Sequence, residues 1–225
     1  MLYTKETARD NVRNRDGKRV FYLGKGDQLT SDARDYLTRE RIEIRPASEA
    51  RPERYRLLNG GYMESKPEHM THLNGEILVS KTHPRILFRG AVDTLEAELL
   101  LCAAAADGLV RKELEEALAY TRQLLRNEVL EEPVKEIPLG GMDEKALREQ
   151  SHRPQEFYGQ PHFMPAPEDG ILLLQVNRAR CAARAAELKA VAAFPQDRED
   201  LLRAFNRLSS FLYLIMIQMK AKKDQ

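Results

Sequence analysis

The sequence has no tryptophan and only 7% aromatic residues, so any core it builds is mainly aliphatic. Cysteine is equally scarce. Cys102 and Cys181 stand far apart and form no CxxC pair, which argues against a disulfide framework and against a cysteine zinc site. A reducing cytoplasm is the simplest setting for such a chain. Charge of one sign is also missing. Against 36 Lys and Arg stand 35 Asp and Glu, a net charge of +1 with no basic stripe, so nucleic acid is not an expected partner. The longest strongly apolar run, residues 211–217, falls far short of the ~20 residues that span a bilayer, so no membrane partner is expected. Residues 1–15 are polar and charged and do not read as a signal peptide.

What is present is a 42% apolar fraction rich in Leu and Ala, enough for a sizeable core in 225 residues. Residues 1–18 show no apolar period and are expected to be irregular and peripheral. Val20-Phe21-Tyr22-Leu23 reads as a short strand closed by Gly24 and Gly26. Thr30 or Ser31 can N-cap a helix through Leu37 and Arg39. Ile42-Glu43-Ile44 alternates like a second strand, and together these make a small strand–helix–strand unit. Residues 46–70, punctuated by Pro46, Pro52, Gly60, Gly61 and Pro67, read as linker. From Pro84 the period becomes helical. Long helices are expected over residues 84–107, 110–130, 171–193 and 198–220, with a short one over 142–148 and a charged tail to Gln225. The Pro-, Gly- and aromatic-rich residues 153–170 read as an ordered loop. The fold class is therefore mainly α. An antiparallel bundle of four to five helices over 84–225 follows an N-terminal α/β extension over 1–58 and a linker with a loop over 59–83.

Three groups could carry chemistry. Arg180, Arg184 and Glu187 lie at i, i+4 and i+7 on one helical face, beside Ala182, Ala183, Ala185 and Ala186. Small neighbours leave room for a bulky anion, and the arginine fork suits phosphate. Glu187 can orient a hydroxyl or hold a hydrated Mg²⁺. The same spacing also describes an exposed face of ordinary ion pairs. In the last helix Asn206 and Ser210 flank the apolar stripe, where a polar group needs a partner in the protein or in a ligand. Thr71-His72-Leu73 and Lys81-Thr82-His83-Pro84-Arg85 lead into the first long helix, whose N-terminus favours phosphate, although a capped helix entry with a surface lysine reads equally well. No complete Walker-type loop occurs. His69, His72, His83, His152 and His162 form no metal signature, and no Ser/His/Asp or Cys/His arrangement stands out.

Taken in order, Thr71-His72-Leu73, Lys81-Thr82-His83-Pro84-Arg85 and Phe88-Arg89-Gly90-Ala91-Val92-Asp93 resemble the entry to the helical domain of the ethanolamine-utilisation cobalamin adenosyltransferases. The pattern Arg180-x-x-x-Arg184-x-x-Glu187 is similar to their nucleotide-binding helix. Asn206-Arg207-Leu208-Ser209 is similar to their last-helix motif. The likeness covers residues 71–220, and Leu29 to Leu37 look like the family's N-terminal extension. It implies an enzyme that moves the 5′-deoxyadenosyl group of ATP onto the cobalt of cobalamin. Lys81, Thr71, Arg184, Glu187, Asn206 and Arg207 would bind the nucleotide with its Mg²⁺. Arg180 would face the nucleotide and pair with Asp93 across a homotrimer interface. Phe163, or Met164 beside it, would shield the lower face of the corrin. A flavoprotein reductase is an implied partner, and a cytoplasmic setting near a bacterial microcompartment is the implied location. Departures are visible. No cysteine falls in residues 59–70, where ethanolamine-type enzymes often carry a His/Cys metal cluster, so no structural zinc or iron is expected. Ser210 stands where the propanediol-utilisation type has Asp. The competing reading is a non-catalytic helical nucleotide-binding or microcompartment-associated module, since a fold does not guarantee a function.

Overall fold

The structure is a computed structural model describing residues 1–15, 17–50, 55–63, 65–136 and 138–223. Pro52 of the expected linker and the last two residues of the tail, Asp224 and Gln225, lie outside the described residues. The chain divides into two compact units, one formed by Met1–Tyr55 with Tyr62–Ser65, the other by Arg56–Gly61 with the described residues from Lys66 onward.

In the first unit the expected strand–helix–strand is present. Strand β3 (Lys18–Leu23) pairs in parallel with β5 (Glu43–Pro46), and helix α2 (Ser31–Arg39) connects them. Thr30 is the N-cap of α2, its Oγ1 accepting the backbone N–H of Ala33 at 3.3 Å. The register differs from expectation: Ile42 precedes β5 and is buried, whereas Ile44 within it is exposed. Residues 1–18 are more regular than their composition suggests, forming β1 (Leu2–Tyr3), α1 (Lys5–Asp10) and β2 (Arg13–Arg15). A reciprocal cap between Thr4 and Thr7 starts α1, and β1 pairs with the short β4 (Gln28–Leu29). Ala8 then reaches a small core with Phe21, Ala33, Tyr36 and Leu37.

Further along, β6 (Tyr55–Leu57) and β7 (Tyr62–Met63) fall in the stretch expected as linker. Residues 70–80, expected as loop, form an antiparallel hairpin of β8 (Met70–Asn74) and β9 (Ile77–Ser80). Its turn holds Gly75 at φ 52, a left-handed conformation that glycine adopts without a Cβ penalty. The hairpin buries Leu73, Leu78 and Val79, and that apolar gain explains why the segment is not a loop.

Among the described residues six α-helices follow: α3 (Pro84–Ala105), α4 (Gly108–Val129), α5 (Glu144–His152), α6 (Pro154–Tyr158), α7 (Ile171–Ala193) and α8 (Glu199–Lys223). Helix α3 packs on α4 and α7; α8 packs on α7, α4 and α5. The core stripe of α3 is Phe88, Val92, Leu95, Leu99 and Cys102, and Phe88 meets the rings of Phe194 and Phe205 edge-on at 5.9 and 5.5 Å. Helix α7 contributes Ala179, Ala183, Ala186 and Ala190, all fully buried. Ala183 and Ala186 therefore do not border an anion site. They let α7 lie close to its helical neighbours, because small side chains bring helix axes together. Ala185 is exposed, while Ala182 is half-buried and packs against the core. Burial pushes the Cys102 thiol up to about 11, consistent with an inert core cysteine. Among the described residues no helix is long and apolar enough to cross a membrane.

Candidate active site

Helices α7 and α8 present Arg180, Arg184, Ser209, Ser210 and Tyr213 to one open cleft, bordered on its far side by Ser151, His152 and His162. The two arginines differ. Arg180 is half-buried, and its Nε and Nη2 both donate to Asn177 Oδ1 at 3.1 and 3.0 Å, which fixes the guanidinium before any ligand arrives. Arg184 is exposed and makes no hydrogen bond or ion pair among the described residues. One fixed fork and one free fork a turn apart suit a polyanion that docks first and is then clasped.

Next to the arginines runs a polar chain. Asn206 Nδ2 donates to Glu187 Oε1 at 3.0 Å, and Arg207 Nη2 donates to Asn206 Oδ1 at 2.9 Å. Ser209 and Ser210 both donate to the Asn206 carbonyl, at 2.9 and 3.2 Å. Arg207 itself turns away from the cleft toward Glu144 of α5, whose Oε1 lies 3.6 Å from its Nε.

The opposite wall is aromatic. His162 stacks on Tyr213 with ring centroids 5.7 Å apart, and Phe163 stacks on the same tyrosine at 6.4 Å. His162 Nδ1 lies 2.9 Å from the Tyr213 hydroxyl and its Nε2 lies 3.3 Å from the His152 carbonyl. A carbonyl can only accept, so in the neutral ring Nε2 carries the proton and Nδ1 accepts from Tyr213. Burial raises the Tyr213 hydroxyl above its ordinary range, keeping it a donor. Lys220 sits 5.9 Å above the Phe163 ring and is held by Asp169 at 2.6 Å; that ammonium keeps the Asp169 carboxyl below its ordinary range. Phe163 is thus half-buried and buttressed, whereas Met164 is 89% exposed.

The remaining expected site residues do not line this cleft. Thr71 lies on β8. Lys81 follows β9 and is exposed, with Glu68 at 4.0 Å. Asp93 is exposed on α3 without an ion-pair partner among the described residues. Arg180 and Arg184 line the cleft itself, Asn206 with Glu187 and Phe163 are joined to it through Ser209, Ser210 and Tyr213, and Lys81, Thr71 and Asp93 stand apart. Among the described residues no group of three or more His, Cys, Asp and Glu is placed to hold a metal ion.

Two features escape a reading of the sequence. His162 and Tyr213 are 51 residues apart, and no local pattern pairs them. The second is a buried ionic node. Glu128 of α4 is fully buried and accepts from Arg85 Nε at 2.6 Å and Arg89 Nε at 2.7 Å. Arg89 Nη1 also reaches the Leu73 carbonyl of the hairpin at 2.8 Å, and Arg85 lies over the Phe194 ring at 5.5 Å. The i, i+4 spacing of Arg85 and Arg89 matches that of Arg180 and Arg184, yet this pair ties α3, α4 and the hairpin together.

The same node affects His83, the N-cap of α3, whose Nδ1 accepts the Arg85 N–H at 3.3 Å. Burial and then the charges of Arg85 and Arg89 lower its pKa from 6.5. The native ring resists a proton that the unfolded chain takes up below about pH 6.5. The corresponding stability is present above that pH and is lost as pH falls through the lowered native value. His83→Asn keeps an acceptor at the N-cap and removes the titration. The variant is expected to lose less Tm than the wild type between pH 7.5 and 5.5; equal losses would clear His83 of the effect.

Paired arginines of α7 thus face a cleft shared with Ser209, Ser210 and Tyr213 of α8, and the carboxylate–amide pair of Glu187 and Asn206 joins the same two helices. The chain belongs to the cobalamin adenosyltransferase family, whose model matches residues 61–219. Among curated proteins it is similar to the corrinoid adenosyltransferase EutT of Salmonella typhimurium, 28% identical over 150 residues, covering 64% of this chain and 56% of the relative. EutT of Escherichia coli is likewise 28% identical over 153 residues, covering 66% and 57%. The chain thus spans a little over half the length of the curated relatives it matches.

Proposed function

We propose that this protein is an ATP:corrinoid adenosyltransferase that transfers the 5′-deoxyadenosyl group of ATP to cob(I)alamin, in the service of ethanolamine utilisation. The observation that carries the reading is that Arg180 and Arg184 line one cleft with Ser209, Ser210 and Tyr213, to which the Glu187–Asn206 pair is joined through the Asn206 carbonyl and Phe163 through the Tyr213 ring. Arg180, already fixed on Asn177, receives the triphosphate, and Arg184 closes on it. As the bond to C5′ breaks, both guanidiniums stabilise charge on the leaving oxygens. Glu187, held by Asn206, would offer Mg²⁺ one carboxylate, which suits an ion that typically keeps waters and phosphates in its shell. Bound there, Mg²⁺ would neutralise phosphate charge. No protein nucleophile is needed, because the reduced corrinoid substrate supplies the attacking cobalt.

Lys81, Thr71 and Asp93 complete the site from a neighbouring subunit in a homotrimer, with Asp93 of the partner subunit pairing with Arg180. The supporting observation is that all three lie away from the cleft of their own chain, with Lys81 and Asp93 exposed. A flavoprotein reductase, a cytoplasmic setting and proximity to a microcompartment belong to the same reading. A direct test mixes the protein with ATP, Mg²⁺ and chemically reduced cobalamin. Light-sensitive adenosylcobalamin is the expected product, and an unchanged corrinoid spectrum favours the non-catalytic binding module instead.

Phe163 would exclude the lower axial ligand of the corrin, which would make cobalt easier to reduce. Phe163→Ala is expected to slow turnover of cob(II)alamin by at least about tenfold, while pre-reduced cob(I)alamin reacts at nearly the wild-type rate. Equal slowing of both substrates would remove Phe163 from the reduction step.

A further inference from the structure

Arg207 lies one residue from Asn206, but its guanidinium leads away from the cleft, and that direction has consequences for Glu187. An arginine can only donate hydrogen bonds. With Arg207 Nη2 at 2.9 Å, Asn206 must present its amide oxygen to Arg207 and therefore its amide nitrogen to Glu187, at 3.0 Å. Donors and acceptors alternate along the whole chain, and flipping the amide would set oxygen against carboxylate at one end and N–H against guanidinium at the other. The Asn206 carbonyl, taken by Ser209 and Ser210, holds the backbone of the same residue.

The far end of the chain is Glu144, at the first position of α5. Its Oε1 lies 3.6 Å from Arg207 Nε and 3.9 Å from Arg203 Nε. The Arg207 side chain is only 15% exposed and its Nε has no hydrogen bond; 3.6 Å is a charge contact, longer than a hydrogen bond. Glu144 is thus the counter-charge that keeps a nearly buried guanidinium aimed at Asn206. Other carboxylates nearby are committed. Asp200 is held by Arg198 at 3.0 Å, and Glu136 accepts the Glu144 backbone N–H at 3.1 Å.

We propose that Glu144 and Arg207 are positioning residues that act through Asn206 to hold the Glu187 carboxylate in the orientation that binds the nucleotide, and that Arg207 does not touch the nucleotide itself. The inference rests on the adenosyltransferase reading and extends it by two residues outside the cleft. Removing either member leaves the Asn206 amide free to rotate, and Glu187 loses its orienting donor.

MgATP titrated calorimetrically into the full chain, with Tm measured in parallel, tests the relay. Glu144→Gln and Arg207→Gln are each expected to weaken MgATP binding by about tenfold or more, the scale on which partners behind a ligating carboxylate act. Arg207→Lys, which keeps the charge that faces Glu144 as well as a donor, is expected to recover part of the affinity lost in Arg207→Gln. Glu144→Gln is isosteric and is expected to keep its Tm within a few degrees of wild type. Loss in Arg207→Gln with Glu144→Gln unaffected would put Arg207 directly on the nucleotide and overturn the relay. Unchanged affinity in both variants would overturn it as well. Absence of MgATP binding by the wild-type protein would instead sink the adenosyltransferase reading on which the relay stands.

Discussion

Arg184→Ala is expected to lower kcat/KM for adenosyl transfer by about 10²–10³-fold, the scale of losing one pre-aimed stabiliser of developing charge. The fold should not register the change. Arg184 is exposed, its side chain makes no hydrogen bond or ion pair among the described residues, and its helix is anchored by the opposite, alanine face. Exposed substitutions of this kind usually stay within about 0.5 kcal/mol of stability. The measurement is a pair: steady-state transfer to pre-reduced cobalamin, and a thermal melt. Near-wild-type turnover would dismiss Arg184 as a phosphate ligand, and with it the sequence argument that singled out this helix face. Arg184→Lys keeps the charge but not the fork and is expected to fall between the two.

The largest effect on stability is expected at Glu128. Glu128→Ala would leave Arg89 without a carboxylate partner and Arg85 with only the exposed Glu131, at 3.0 Å, while both guanidiniums stay mostly buried. Breaking a buried pair from one side typically costs about 3–5 kcal/mol. At about 2–4 °C per kcal/mol for a chain of this size, Tm falls by roughly 6–20 °C. Glu128→Gln keeps one acceptor and is expected to lose less. A melt of the Ala variant within 2 °C or so of wild type would mean that solvent and Glu131, rather than Glu128, neutralise the two arginines.

Most of the helical framework was legible because apolar periods are local. Helix α7 runs over Ile171–Ala193 as its pattern predicts, and α3 starts at Pro84, where proline is tolerated at the first position. The hairpin of β8 and β9 is not legible in the same way, because its apolar alternation is short. Its reason to form lies in burying Leu73, Leu78 and Val79 and in the bond from Arg89, neither of which is local. Similarly, the cap from Thr4 to Thr7 is written in residues 1–18, but the core that rewards it is supplied by Phe21 and α2.

The site divides along the same line. Spacing alone placed Arg180, Arg184 and Glu187 on one face of α7, and Asn206 with Ser210 one turn apart on α8, because a helix fixes its own angular period. Only tertiary structure decided which arginine pair became structural and which stayed available. Arg85 and Arg89 met Glu128 from another helix, while Arg180 and Arg184 met an open cleft. Only tertiary structure set His162 on Tyr213, turned the alanines of α7 inward and aimed Arg207 at Glu144. The period of a helix is set by its own backbone, whereas the partner of a charge depends on which distant segment packing brings within a few ångströms of it.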